Sequence, residues 1–248
     1  MQPWSQPLLW PHPSGAVACD PYFGNVVLLT GFEGAMGTIG TPGAGWTDLS
    51  PSAHGLPQLG GSVSIDTTNF KFGTGAGHWP STSSERWAPS ADWALGSGQF
   101  TIETWLRLNS TGASRVIIGM VQAGLYSWFL WFDGSGNLAW TISTDGSSFV
   151  NDITYIWSPS LATWYHVAVD YNGSKYRMYV NGTMVGSSTT LRTIYNSSDY
   201  LALGCNTIGS GLFLDGWLDE VRITKGFARY ASDAGFAVPT AAFPRVQC

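Results

Sequence analysis

The stretch Phe100-Thr101-Ile102-Glu103-Thr104-Trp105-Leu106-Arg107-Leu108 decides the fold. Successive side chains of a β-strand point to opposite sides of the sheet, so a strand with one side in a core alternates apolar and polar residues. Phe100, Ile102, Thr104, Leu106 and Leu108 share one side, and Thr101, Glu103, Trp105 and Arg107 share the other. A helix needs apolar residues three and four apart instead. The segment is a strand with a core face and a second face that sets a tryptophan between two charges.

Working downstream, residues 115–122 and 126–133 read as the next pair of strands, followed by 138–143 after the turn Asp133-Gly134-Ser135-Gly136-Asn137. Residues 126–133 are apolar on both faces, which demands cover on both sides, from this chain's loops or from another subunit. Strands at 164–171 and 176–180 flank Asn172-Gly173, a two-residue hairpin turn because both positions tolerate positive φ. Asn181-Gly182 repeats the device before 183–187, and strands at 200–203 and 214–224 complete the set. Upstream, 26–30 is the first strand, with short ones at 63–65 and 70–72. Residues 31–61 read as irregular with at most a short hairpin, and 73–99 as a second long loop holding Trp79, Trp87 and Trp93. A helix fits only near 226–231. Short strands punctuated by glycine turns predict an all-β, antiparallel two-sheet jelly-roll sandwich.

Residues 1–24 stand apart. Five prolines (Pro3, Pro7, Pro11, Pro13, Pro21) are interleaved with Trp4, Trp10, Tyr22 and Phe23, a pattern that favours extended, polyproline-like chain. The sequence thus divides into an arm, 1–24, and one domain, 25–248. The aromatic residues of the arm point to docking, on a neighbouring subunit or partner or back onto its own domain.

Composition narrows the function. Charged residues are only 11% of the 248, whereas aromatics reach 14% with 13 Trp, which indicates a well-packed, turn-rich β protein. A net charge of −5 with no basic stripe excludes nucleic acid. No stretch approaches the ~20 apolar residues needed to span a bilayer, and the N-terminus lacks the basic and apolar regions of a secretory signal. Synthesis in a reducing cytoplasm is expected. Cys19, Cys205 and Cys248 are too few and too scattered for a disulfide framework or a zinc site, and an odd number leaves at least one thiol free.

Four segments in order then resemble concanavalin A-like (laminin G-like) domains. They are Phe100 to Trp105, Trp164-Tyr165-His166-Val167-Ala168-Val169, Tyr179-Val180-Asn181-Gly182-Thr183, and Leu218-Asp219-Glu220-Val221-Arg222-Ile223-Thr224-Lys225. Val27-Leu28-Leu29-Thr30-Gly31-Phe32-Glu33-Gly34 is similar to the family's opening strand. Asp20-Pro21-Tyr22-Phe23 and the tail from Ala228 to Pro244 resemble the version of the domain found in bacteriophage virion proteins. The resemblance implies a sheet or rim that binds glycans or proteins, and a calcium ion near Glu33 and Asp219, which lie near the paired first and last strands.

Catalysis finds little support. Glycoside cleavage needs two carboxylates across the scissile bond. Asp215 and Asp219 share a strand face, but Gly216, Trp217 and Leu218 stand between them and the acid pattern of hydrolytic relatives is absent. No Ser/His/Asp arrangement or phosphate loop is legible. Strand parity instead gives a binding face: Glu103, Trp105 and Arg107 beside Trp164, His166 and Asp170, with Trp79 and Trp87 from the long loop as further contacts. Aromatic rings ringed by hydrogen-bonding groups suit sugars. The competing reading packs Trp105 and Trp164 beneath the loops at 31–61 or 73–99. The expectation is a non-catalytic bacteriophage virion structural protein, a decoration, fibre or tail component assembled in the host cytoplasm. It would be multi-copy, joined to other virion proteins through residues 1–24 and directed at a host-surface glycan. The alternatives are a free or cell-surface lectin-like module and, less favoured, a divergent glycosidase.

Overall fold

Short strands joined by turns and loops make up the chain over residues 18–37 and 41–248, the part described by a computed structural model. In the first part of the chain lie β1 (Val26–Thr30), β2 (Gln58–Gly60), β3 (Ser64–Asp66), β4 (Ala76–Trp79), β5 (Ser84–Trp87), β6 (Phe100–Leu108), β7 (Arg115–Gly119) and β8 (Trp128–Phe132). Then follow β9 (Leu138–Ile142), β10 (Val150–Tyr155), β11 (Trp164–Tyr171), β12 (Tyr176–Val180), β13 (Thr183–Ser188), β14 (Leu201–Leu203) and β15 (Gly216–Lys225). The larger sheet runs β13-β12-β11-β6-β15-β4-β3, with β1 also on β15, and the smaller runs β10-β9-β8-β7-β14-β5-β2. The expected antiparallel jelly-roll sandwich is what forms.

β15 is long because it serves three neighbours. One side pairs with β6 throughout, while the other takes β4 at Gly216 to Leu218 and β1 at Val221 to Thr224. A bulge between Asp219 and Arg222 joins the two halves, with Glu220 at φ 52°. An extra residue in one strand re-aims side chains, and here it sets Asp219 and Glu220 to different tasks, described below.

Between the sheets, Phe100, Ile102, Leu106 and Leu108 of β6 meet Val167, Val169, Met178, Trp128, Leu130 and Trp140, all within a single core. Each such buried side chain contributes roughly 1.5–3 kcal/mol. Trp79, Trp87 and Trp93 are also fully buried in this core.

Local readings need correction in several places. Residues 73–99 are not one loop: they hold β4, β5 and a 3-10 turn at Ala91–Trp93. The alternation was hidden by small residues, among them Gly77, where a Cβ would stand 2.5 Å from the Trp79 ring. Residues 70–72 form no strand, because the N–H groups of Lys71 and Phe72 are donated to Asp219. No helix forms at 226–231, where the backbone donors go to Gln99 O, Thr101 Oγ1 and Asp170 Oδ2. β10, unforeseen, is a largely exposed edge strand without apolar alternation.

After β15, residues 226–248 return across the outer face of the larger sheet as an irregular strap. Phe236 N–H donates to Gly182 O, and Gly182 (φ 75°) admits no side chain there, since a Cβ would lie 2.1 Å from Phe236 O. The end of the strap is bonded to the start of the described chain through Cys19–Cys248 and a bridge from Asp20 to Gln247. Sequence inspection found no such pairing. Cys205 is free and buried, and burial pushes its thiol up to about 12. Of the arm expected at 1–24, residues 1–17 lie outside the described residues, and 18–24 join this strap layer. No helix among the described residues is long and apolar enough to cross a membrane.

Candidate functional site

The outer face of the larger sheet carries the residues singled out from strand parity, and the strap divides it in two. Under the strap lie Glu103, His166 and Asp170, each fully buried. Glu103 Oε1 accepts from Arg222 Nε at 2.9 Å, and Oε2 lies 3.1 Å from His166 Nε2 and accepts from the Tyr230 hydroxyl. Burial alone would raise the pKa of Glu103, but the Arg222 guanidinium, His166 and Arg229 hold it well below the usual carboxylate range. Asp20 bridges Arg229 (2.7 Å) and Arg222 (3.4 Å). Asp170 accepts from Ala231 N–H, and burial pushes its carboxyl up to about 6. Tyr230 stacks on Phe236 at 3.5 Å, and Phe243 lies 3.8 Å from the Arg222 guanidinium. Glu103, His166 and Asp170 are closed off from solvent, although a cavity between residues 18–21 and 239–244 reaches Arg222 and Arg229. The sequence-expected contacts Glu103 and His166 are fastenings for the strap.

Trp105 sits at the seam, 4% exposed, with Lys71 Nζ 4.1 Å above its ring and Phe72 at its edge. Trp79 and Trp87, expected as loop contacts, are fully buried: Trp79 packs on Phe32 and Trp46, and Trp87 Nε1 donates to Glu85 Oε1 at 2.7 Å. The strands and loops around these three residues close over their rings.

Arg107 and Trp164 are different. Cα register aligns Ser64, His78, Trp217, Arg107 and Trp164 across β3, β4, β15, β6 and β11. At ~4.8 Å per strand the row is roughly 19 Å long. His78 stacks on Trp217 at 4.4 Å with 9° between planes, and the Arg107 guanidinium lies 5.2 Å from the same indole. His78, Arg107 and Trp164 remain half-buried. Trp217 Nε1 donates to Asp66 Oδ2 at 2.8 Å, which fixes the indole plane. Burial lowers the pKa of His78, against the opposing pull of Asp66 and Asp215. Asp66 itself stays below the carboxylate range: burial opposes this, and hydrogen bonds from Thr68, Asn69 and Trp217 prevail. The Ala162 carbonyl accepts from Arg107 and so orients it. The row thus offers the accessible parts of His78, Arg107 and Trp164 around the Trp217 indole, which is itself 9% exposed and overlain by the first two. The sequence misses His78 because β4 reads as loop; Trp217 lies on β15, which does read as a strand, but parity there weighs only Asp215 and Asp219.

The acids near the row are already engaged. Asp66 anchors its own turn, and Asp215 accepts from Asn109 Nδ2 and the Ser110 hydroxyl. Glu33 and Asp219 do approach the same loop, as expected, but to hold it. Glu33 Oε2 accepts from Thr74 N–H at 2.6 Å, and Asp219 Oδ2 accepts from Lys71 and Phe72. At Gly73 (φ 67°) a Cβ would stand 1.6 Å from the Glu33 carboxylate, so the chain passes where only glycine fits. Burial pushes Asp219 up to about 8, with Glu220 and Glu33 adding to the rise. Among the described residues no group of three or more His, Cys, Asp or Glu could hold a metal ion. Both carboxylates are thus engaged by backbone donors of the 71–74 loop.

Comparison with known proteins fits this architecture. The family model described as the concanavalin A-like lectin/glucanases superfamily matches residues 80–229. Among solved structures, the binding domain of Paraclostridial mosquitocidal protein 1 superposes with a TM-score of 0.60 at 18% identity, over 84% of this chain and 50% of that one. The binding domain of botulinum neurotoxin DC in complex with SialylT gives 0.59 at 16%, over 82% and 48%. Domain 4 of AbnA, an extracellular arabinanase from Geobacillus stearothermophilus, in complex with arabinotriose, gives 0.57 at 16%, over 82% and 94%. The chain therefore spans about half the length of the toxin binding domains and nearly all of the arabinanase domain. No curated protein matches the sequence.

Proposed function

The chain belongs to the concanavalin A-like lectin/glucanases superfamily, and from that membership we propose that it is a non-catalytic, lectin-like module binding a glycan along the row His78–Trp217–Arg107–Trp164. The observation that carries this reading is the row itself, an indole held between a histidine and a guanidinium with a second tryptophan beside it. Sugar rings stack on aromatic faces while their hydroxyls take hydrogen bonds from fixed polar groups. The arabinanase domain among the structural neighbours was solved with arabinotriose. Against bond cleavage stands the engagement of Asp66 and Asp215 as loop anchors, which leaves the row without a free carboxylate pair.

The wider setting we propose is a bacteriophage virion, with the domain displayed as a decoration, fibre or tail component. The similarity of Asp20 to Phe23 and of the 228–244 tail to virion versions of the domain supports it. A disulfide such as Cys19–Cys248 also suits a particle that leaves the reducing cytoplasm after assembly.

Glycan-array screening followed by calorimetry on the best ligand tests the site. Trp217→Ala is expected to weaken binding at least tenfold, and equal affinity in that variant would discard the row. Release of reducing sugar by the purified protein would discard the non-catalytic reading. Mass spectrometry of purified particles decides between a virion component and a free or cell-surface module.

A further inference from the structure

The outer face of the smaller sheet carries an aromatic surface that the glycan row does not use. β8 turns Phe129 and Trp131 outward: Phe129 is buried with Val116 and Val121 in a cluster separate from the main core, and Trp131, Tyr126 and Leu212 pack against it, partly exposed. Phe149 covers this cluster edge-on, 4.9 Å from Tyr126 and 5.3 Å from Phe129, yet remains 43% exposed. Next to it Val150 is 38% exposed.

Residues 1–17 have the complementary chemistry. They contain no Asp, Glu, Lys or Arg, and they set Trp4, Leu8, Leu9 and Trp10 among Pro3, Pro7, Pro11 and Pro13. Proline-rich segments lose little entropy on docking and suit aromatic-lined surfaces.

The point at which this segment joins the domain is fixed. Cys19 is bonded to Cys248, and Asp20 is held by Arg222 and Arg229, on the strap side of the larger sheet. Eight residues separate Ala18 from Trp10 and fourteen separate it from Trp4, a reach of at most roughly 26–29 Å and 46–50 Å respectively. The aromatic surface is on the opposite side of the sandwich. Two sheets ~10 Å apart, with the strap layer on one side and the aromatic cluster on the other, already separate the two points by roughly 20–25 Å through a packed core. The way round a sheet edge is longer. Docking on the same copy would spend most of this reach on the detour round a sheet edge and leave little of residues 4–10 to lie along the face, whereas a neighbour's surface can lie directly against the exit.

We propose that residues 4–10 of one copy dock on the Tyr126–Trp131–Phe149 face of a second copy. The two contacting surfaces differ, so the contact propagates head to tail, closing into a ring or running on as a filament. It holds whether or not the domain binds a glycan.

Two full-length variants separate the halves of the contact. Trp4→Ser/Leu8→Ser/Trp10→Ser disables the arm and keeps the face; Phe149→Asp disables the face and keeps the arm. By sedimentation at micromolar concentration, the unaltered chain is expected to form species larger than a monomer. Each variant alone is expected to sediment as a monomer, and their equimolar mixture as a one-to-one dimer. A monomeric unaltered chain, persistent assembly of either variant, or a mixture that stays monomeric would overturn the proposal. Unchanged circular dichroism confirms that the exposed Phe149 site tolerates aspartate.

Discussion

The two halves of the larger sheet's outer face are built from the same kinds of side chain and behave oppositely. Around Glu103, carboxylate, imidazole, guanidinium and aromatic rings are covered by the strap, and Glu103, Asp20, Arg222, Arg229 and Tyr230 find their partners within the chain. Around Trp217, which is itself buried, the His78 imidazole and the Arg107 guanidinium lie on the indole in register and are left half open. Chemistry on a strand face does not distinguish a clasp from a binding row. Cover distinguishes them, and the cover is a segment some hundred residues downstream of the strand that bears it. The same comparison extends to acids. Glu103 and Glu85 are both fully buried, but Glu103 faces two arginines while Glu85 has only the Trp87 indole N–H, and burial pushes it up to about 8.

Breaking the covered half should have the largest effect. Glu103→Ala leaves Arg222 buried beside a lost partner, a change that costs about 3–5 kcal/mol. Urea denaturation measures it, and a loss under ~1 kcal/mol would show that the ionic cluster does not fasten the strap. Cys248→Ser releases the strap's end and should cost ~2–4 kcal/mol by the same measurement. Its glycan affinity should be unchanged, since the open row lies on the other half.

The acid comparison gives a pH test. Folded Glu85 keeps a proton that the unfolded chain releases above its ordinary value of 4.5, so stability falls as pH rises from there towards about 8. Glu103 has the opposite sign: its depressed pKa stabilises the fold above that ordinary value and the benefit is lost as pH falls through it. Glu85→Gln, which keeps an acceptor for the Trp87 indole, should therefore raise stability at pH 8 by ~1–3 kcal/mol and change little at pH 5. Equal thermal shifts at the two pH values would refute a protonated Glu85. The smallest stability effect belongs to the open half. Trp164→Ala should alter folding by ~1 kcal/mol or less while reducing glycan affinity, and calorimetry showing wild-type affinity would remove Trp164 from the row.

Much of this arrangement was legible in residues. The alternation at Phe100 to Leu108 appears unchanged as β6, and the Asn172-Gly173 and Asn181-Gly182 turns lie between β11, β12 and β13. The double-sided apolar character of 126–133 showed that the smaller sheet has something to cover outside. β4 and β5 were not legible, because Ala76-Gly77 and Ser84-Glu85 offer no apolar period to read. Parity placed Arg107 and Trp164 on an outer face correctly and placed Glu103 and His166 there too, but it carries no information on what lies above a face.

Sequence by itself determined the class of fold, since a period of two admits only strands and the apolar set on each strand has one side on which to meet. It also determined which residues share a face. Tertiary structure alone decided which part of that face is open, that Cys19 finds Cys248, and that Asp219 and Glu33 hold the 71–74 loop. The physical reason is range. Alternation is fixed by the geometry of neighbouring peptide units, whereas the strap, the disulfide and the five-strand row join residues far apart in the chain, whose meeting depends on the packing of the whole sandwich.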